Sequence, residues 1–464
     1  MGSSAQPHST DGRVSLKRRL VQAASWSLAG YAISLVLRLG SNLLLTRLLA
    51  PDMFGVMSVA YTVFTGLSMF SDVGLGPIII QNKRGTEPKF LNVVWVTQIG
   101  RGVVVTAVAL LLAIGLYFGW LTAFLPAQSV YSEPVVPSLI AVLSVMGIVT
   151  GLESTKLVLA RRNLSFAKLT QIELITQVGA TLFILAWAWV KPSVWALAWG
   201  WMFGAVLKTA LTHLMLPGPS NRPEWDREIF AEVFRFGRWI LVSSPLSFLM
   251  SSGDRILLAS FLDAKTMGLY WIAFTLASIL QIAVSRLSGS VMLPGLSEVA
   301  RERPEELRTM LYRMRRPLDL ACFGGAGLLL FLGPAVIRLL YDARYSEAGW
   351  ILSVLGVALL AAPIELFDNA LLAIGKPKLL SALNVVRMVS LYSAVPIGHH
   401  IAGARGAIYG VAASALVSVV SSWIVQRRVQ LFSARGELLA GLLFLCGAAI
   451  GWLVAWGLRA SGLG

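Results

Sequence analysis

Charge is scarce in this 464-residue chain. Only 13% of its residues are Asp, Glu, Lys or Arg, about half the roughly 25% typical of a soluble domain. A soluble globular protein is therefore excluded. Cysteine is scarcer still: Cys322 and Cys446 lie far apart in apolar runs, which gives neither a disulfide framework nor metal-ligand spacing. The four histidines, His8, His213, His399 and His400, form no zinc or catalytic pattern. No G-x-x-x-x-G-K-[ST] loop is present to cradle a nucleotide's phosphates. The first dozen residues lack the apolar core of a signal peptide, and Gln6 interrupts the myristoylation pattern begun by Met1 and Gly2. The first long apolar run is thus expected to remain as a first helix. Long polar loops are missing too, so a soluble catalytic domain has nowhere to sit.

What is abundant is apolar sequence, with 56% hydrophobic residues and a mean hydropathy of +0.73. A spanning helix needs about 20 mainly apolar residues. Thirteen runs qualify, at about 20–49, 55–81, 91–120, 134–160, 164–190, 193–216, 237–262, 266–296, 316–341, 347–374, 379–401, 403–426 and 437–459. The expected fold is therefore an all-α integral membrane protein.

The net charge of +16 would suggest nucleic acid in a soluble protein, but here its placement decides. One set of alternate span ends holds 27 Lys and Arg residues, including six arginines between Arg301 and Arg316; the other set holds seven. By the positive-inside rule the amino terminus is cytoplasmic. Most of the surplus charge is then topology signal and lipid-headgroup contact, and no nucleic-acid partner is expected. The two longest connections, Pro217–Phe236 and Ser297–Arg316, read as amphipathic cytoplasmic linkers on the membrane surface.

The chain also repeats itself. LTRLLAPDMFGVMSVAYTV (Leu45–Val63) and LASFLDAKTMGLYWIAFTL (Leu258–Leu276) each close a span, turn briefly, and restart at a glycine, Gly55 or Gly268, with an offset of 213 residues. Both preceding spans run in the same direction, so the repeat is parallel, with a pseudo-twofold axis along the membrane normal. The expected organisation is a cytoplasmic tail (1–19), a six-helix lobe (20–216), a linker (217–236), a second six-helix lobe (237–426), and a segment with one further span (427–464).

In this order, LLLTRLLAPDMFGVMSVAYTVFTGLSMFSDVGLGPIIIQ, DRILLASFLDAKTMGLYWIA and GWILSVLGVALLAAPIELFDNALLAIGKPKL resemble one branch of the multidrug/oligosaccharidyl-lipid/polysaccharide (MOP) exporter superfamily. That branch is the polysaccharide transporters, the Wzx-type flippases of lipid-linked oligosaccharides in bacterial surface-polysaccharide pathways. The resemblance covers nearly the whole chain and is strongest over Leu43–Gln81. It implies two six-helix lobes around a cavity with alternating access, in the bacterial inner membrane. Family members usually have twelve or fourteen helices, so thirteen is a departure.

Ionisable residues inside spans cost at least roughly 2.5–3.5 kcal/mol at the bilayer centre and usually face a bundle interior or a wet cavity. Five arginines are so placed: Arg38, Arg101, Arg255, Arg286 and Arg387. Arg101 lies about ten residues into its span, or ~15 Å along the axis. Thr97 and Gln98 share its helix face, Ser34 and Asn42 flank Arg38, and Asn384 and Ser390 flank Arg387. The acids are Asp72, Glu153, Glu173, Asp254, Glu365 and Asp368. Glu173 joins a Thr170–Gln177 stripe, and Glu365 and Asp368 share one face. Glu153 reads as a structural partner of Lys156 one turn on.

The five arginines are the expected anion-binding set, because guanidinium grips phosphate bidentately and a lipid pyrophosphate is the anion to be moved. For Arg255 and Arg286 a purely structural role stays open, as does interhelical pairing for the other three. Coupling or gating is expected of Asp72, Pro77, Glu173, Asp254, Glu365 and Asp368. In MFSDVGLGPIIIQ (Met69–Gln81), Gly74, Gly76 and Pro77 should break the helix beside Asp72, which is tolerated at membrane depth only against protein or water. Asp72 is then free to pair with an arginine or a cation, unless a fixed salt bridge holds it.

Expected partners are an undecaprenyl-type lipid-linked oligosaccharide, membrane lipids, and polysaccharide polymerase or export machinery. No cofactor, metal or catalytic residue is expected, and any coupling falls to a proton or Na+. The rival readings are a drug/organic-cation antiporter of the same superfamily and a multispan polymerase or glycosyltransferase. The first calls for acidic, aromatic-lined pockets, the second for a large outer loop with paired carboxylates or arginines.

Overall fold

A computed structural model describes residues 10–126 and 128–461, and among them no strand occurs. Helices are what lipid demands, since only they satisfy every backbone group within one segment. The first half contains α1 (Thr10–Leu48), α2 (Pro51–Phe70), α3 (Leu75–Gln81), α4 (Pro88–Tyr117), α5 (Val135–Ser144), α6 (Met146–Gly151), α7 (Lys156–Arg162), α8 (Phe166–Val190) and α9 (Val194–Leu214). The second half contains α10 (Arg227–Phe261), α11 (Ala264–Leu287), α12 (Leu293–Glu302), α13 (Leu307–Leu340), α14 (Ala348–Ala358), α15 (Ile364–Ala373), α16 (Pro377–Arg428) and α17 (Ala434–Ala460). Their starts are written in sequence. Pro51, Pro88 and Pro377 open α2, α4 and α16, where a missing N–H costs nothing. The Asp263 carboxylate accepts from Thr266 N at 3.2 Å, and the Ser433 hydroxyl accepts from Gly436 N at 3.3 Å.

Among the described residues ten helices are long and apolar enough to cross a membrane, or eleven if the pair bent by 62° between α6 and α7 counts as one span. Thirteen were expected, and the difference has local causes. α10 is long enough, but it is serine-rich and carries Asp254 and Arg255. α16 is really two helices: Ala402 and Gly403 leave helical geometry, with Gly403 at φ 59°. Its limbs fold back on each other, so closely that a Cβ on Gly398 would overlap the Gly406 carbonyl and one on Gly410 the Ala394 carbonyl. The intervals 379–401 and 403–426 therefore correspond to the two limbs of α16.

The chain forms two compact units. The first comprises Met1–Leu48, Val63–Ile114 and Pro137–Pro245. Its core collects Leu75, Ile79, Phe90, Leu91, Leu159 and Ile229 from α3, α4, α7 and α10. α4 and α6 meet at Gly102 and Gly147, where small residues let backbones approach. The 217–236 linker is tied to this unit by charge. Lys89 Nζ lies 2.6 Å from Asp226, and Asn82 and Asn92 donate to Glu232 and Glu224.

The second unit comprises Leu49–Thr62, Gly115–Val136 and Leu246–Gly464. α13 is its axis, packed against α14 at Gly333 and Gly349 and against α17 at Gly327 and Gly447. One contact here bears on the repeat. A Cβ on Gly55 would overlap the Ala264 carbonyl, and a Cβ on Gly268 would overlap the Pro51 carbonyl. Pro51 and Ala264 stand at the same 213-residue offset as the two glycines. The contact is thus reciprocal, as a local twofold relation between α2 and α11 requires. Around it, Tyr345 Oη donates to Leu49 O at 2.8 Å, Ser129 Oγ to Ala259 O at 2.9 Å, and Val130 N to Leu262 O at 3.1 Å.

Candidate functional site

In the first unit the expected break is present. α2 ends at Phe70, and Ser71–Val73 leave the helix. Gly74 adopts φ 65°, ψ 37°, the left-handed conformation that favours glycine. Gly74, not Pro77, makes the turn. Pro77 lies in the first turn of α3, where its missing N–H has no intrahelical acceptor to lose.

Arg101 of α4 reaches this break. Its Nη2 donates to Ser68 O at 2.6 Å and its Nε to Ser71 Oγ at 3.2 Å. A cation at a carbonyl of a helix's last turn is favoured by both hydrogen bonding and the helix dipole. Nη1 stays 3.9 Å from Asp72 Oδ1, an ion pair without a hydrogen bond. Asp72 instead accepts from Gly74 N at 3.0 Å. The Asp72 side chain is 40% exposed and that of Arg101 27%. One turn before Arg101, Gln98 Nε2 contacts the carbonyls of Thr150, Gly151 and Glu153 at 3.0–3.1 Å. The α4 polar stripe thus serves two broken helices, α2/α3 with its arginine and α6/α7 with its glutamine.

Other expectations for this unit are adjusted. Glu153 pairs with Lys208 at 2.8 Å, not with Lys156, whose Nζ donates to His213 O at 3.1 Å. Both partners belong to α9, one helix away in space, where spacing along the chain cannot point. The Gln177 end of the α8 stripe is taken up by Ser34 of α1 through bonds of 2.6 and 2.8 Å. Glu173 and Arg38 are exposed.

In the second unit Arg387 is held from several sides. Nη1 and Nη2 donate to the two oxygens of Asp368 at 2.7 and 2.9 Å, a bidentate fork. Nη1 also donates to Asn384 Oδ1 at 3.1 Å, and Nη2 to Ser422 Oγ at 3.2 Å. The cluster ties α15 to both limbs of α16. Glu365, one turn before Asp368, accepts from Ser285 Oγ of α11 at 3.1 Å. Arg286, its neighbour in sequence, is exposed.

Asp254 and Arg255 form a third group, between α10 and α11. Tyr270 Oη donates to Asp254 at 2.5 Å. Arg255 Nε lies 3.6 Å from the same carboxylate, Nη2 donates to Ser252 Oγ at 2.9 Å, and the guanidinium stands 4.8 Å from the Phe274 ring centroid. Arg101, Arg255 and Arg387 thus each face an aspartate from the expected set, in three separate groups.

One cluster escaped the sequence reading. Arg315 donates through Nε to Asp319 at 2.8 Å and through both Nη atoms to Glu437. Tyr312 Oη lies 2.7 Å from Glu437 and 3.1 Å from Gln426. All three ionic side chains are nine-tenths or more buried. The signal was the i,i+4 spacing of Arg315 and Asp319, hidden because Arg315 sits among the topology arginines.

With this geometry in place, the relationships of the chain can be read. Residues 44–350 match the polysaccharide biosynthesis protein family. The chain belongs to that family. It is 23% identical over 437 residues to the lipopolysaccharide biosynthesis protein WzxC of Escherichia coli (strain K12), covering 92% of this chain and 85% of WzxC. Its fold is that of the lipid II flippase MurJ in an inward closed conformation, with a TM-score of 0.68, 13% identity, and coverage of 94% of this chain and 93% of MurJ. An inward-facing multidrug resistance MATE family transporter of the MOP superfamily superposes with a TM-score of 0.65 at 14% identity, covering 88% and 95%. The protein is a multi-pass, all-helical membrane protein of the MOP-exporter fold.

Proposed function

We propose that this polysaccharide biosynthesis family member is a flippase, moving polyprenyl-pyrophosphate-linked oligosaccharide from the cytoplasmic to the outer leaflet of a bacterial inner membrane. The observation that carries the reading is the conjunction of family and fold: a polysaccharide-pathway sequence on a scaffold otherwise found in transporters. The amino terminus lies in the cytoplasm, as the Lys/Arg asymmetry directs.

Arg101 fits the pyrophosphate better than the other four arginines. It stands beside an exposed helix break, and its Nη1 is only loosely paired with Asp72. An entering phosphate competes with Asp72 for that edge and frees the carboxylate for a proton or Na+, which links cargo to ion. Arg387 and Arg255 already have carboxylate partners, Asp368 and Asp254, and are assigned to holding the helices of the second unit together. Alternating access then requires the glycine crossing at Gly55 and Gly268 to part as the outer side opens.

The test is depletion of the protein in its host, followed by analysis of lipid-linked sugars. Cytoplasmic-facing lipid intermediates should accumulate. Unchanged lipid intermediates with altered drug sensitivity would replace this reading with the antiporter, which the MATE-like fold keeps in view.

A further inference from the structure

The ends of α13 and α17 enclose a cavity of about 460 Å³ lined by Arg308, Arg313, Arg316 and Arg435, together with Tyr312 and Phe432. None of these four arginines makes an ion pair among the described residues, whereas two of the nearby acids do. Glu437 and Asp319 are both taken by Arg315. Even fully ionised, that cluster offsets only one of the four cavity charges. An adjoining cavity of about 760 Å³ shares Arg308 and Phe432 and adds Lys376 and Arg427, against the one acid Glu305. Arg427 stacks over the Phe432 ring at 4.6 Å.

The apolar surface beside this charge identifies the ligand. Leu438, Leu439 and Leu442 follow Arg435 at i+3, i+4 and i+7, and so lie on its helix face; they are 67%, 44% and 47% exposed. Leu320 stands one turn beyond Arg316 and is 61% exposed. Each helix therefore passes from arginine to exposed leucine within a turn, in the direction from membrane surface to membrane interior. A soluble phosphate uses only the charged half of such a surface. A lipid uses both.

We infer that this cavity is a headgroup site for an anionic phospholipid, its phosphates held by Arg308, Arg313, Arg316 and Arg435 and its acyl chains laid along the leucine face of α17. The site lies outside the Arg101, Arg255 and Arg387 groups, borders the Arg315 cluster through Tyr312, and goes beyond the flippase reading. It depends only on the chain being embedded in a bilayer. Basic recesses between helix ends attract acidic headgroups with about 1 kcal/mol for each Lys or Arg near the surface.

The test uses the purified full-length protein in the absence of any sugar lipid, with cardiolipin and phosphatidylcholine as probes in native mass spectrometry. Cardiolipin should be retained in preference to phosphatidylcholine. The R313Q/R316Q/R435Q variant should weaken that retention about tenfold or more. The R313K/R316K/R435K variant should stay within about threefold of the parent, because point charges remain; this also shows that the fold survives at these exposed positions. Equal retention of the two lipids, or of cardiolipin by the parent and glutamine proteins, would overturn the inference. Displacement of cardiolipin by equimolar inorganic pyrophosphate would overturn it too, in favour of a soluble anion. A protein that holds cardiolipin but whose depletion leaves sugar lipids unchanged would remove the flippase reading and leave this site standing.

Discussion

Arg101 and Arg387 each face an aspartate from within a span, but the two pairs are built differently. Arg387 and Asp368 form a fork at 2.7 and 2.9 Å, with both side chains below a fifth exposed and further bonds to Asn384 and Ser422. Arg101 approaches Asp72 only to 3.9 Å and spends its hydrogen bonds on the end of a broken helix. The first pair is closed, and a competing anion would have to strip a bidentate carboxylate from it. The second is a cation with one edge still open. In a membrane protein the presence of an intramembrane arginine is thus a weaker guide to function than the number of its donors already committed.

Removing Arg387 is expected to have the largest effect on folding. Arg387→Ala strands Asp368, and breaking a pair this sheltered costs about 3–5 kcal/mol, read as a lower Tm of the purified protein. Adding Asp368→Asn should recover much of the loss; an unchanged Tm in the single variant would erase the contrast. Arg101→Ala should change stability by less than about 1 kcal/mol, as for a loosely held, partly exposed pair, while export stops and the folded protein remains. Thermal double-mutant cycles sharpen the contrast, with strong coupling between 368 and 387 and little between 72 and 101. Retained export in Arg101→Ala would take Arg101 out of the proposed site.

The smallest effect belongs to a third, more exposed pair. Asp226, ahead of α10, is held below the usual carboxylate range first by the hydrogen bond from Lys89, then by the backbone N–H groups of Ile229 and Glu228. A depressed folded value gives stability that is present above the ordinary aspartate pKa and lost as pH falls through the folded one. Asp226→Asn should therefore flatten the fall in Tm on acidification below about pH 4 and lower Tm only slightly at neutral pH. An acid limb as steep as that of the parent would show that the Lys89 contact does not form in solution.

Several of these elements could be read from sequence. The glycines and proline of MFSDVGLGPIIIQ announced a break and placed Asp72 beside it. The 213-residue offset picked out Gly55 and Gly268, which meet reciprocally with Pro51 and Ala264. Helical spacing put Gln98 on the Arg101 face, though not the carbonyls it satisfies. The partner of Glu153 was missed, because Lys208 comes from another helix and the nearer Lys156 points to a different acceptor. The same limit hid Glu437 from Arg315, which lies 122 residues away along the chain.

By itself the sequence determined the solvent of this protein, its helical class, its charge asymmetry and its family, because each depends on composition and period along one chain. Only the tertiary structure decided which arginines a carboxylate already grips and which it leaves loosely paired and more exposed. A helix period fixes the direction of a side chain but not what waits there, and hydrogen-bond strength depends on separations of a few tenths of an ångström, which only the packing of helices distant in sequence can set.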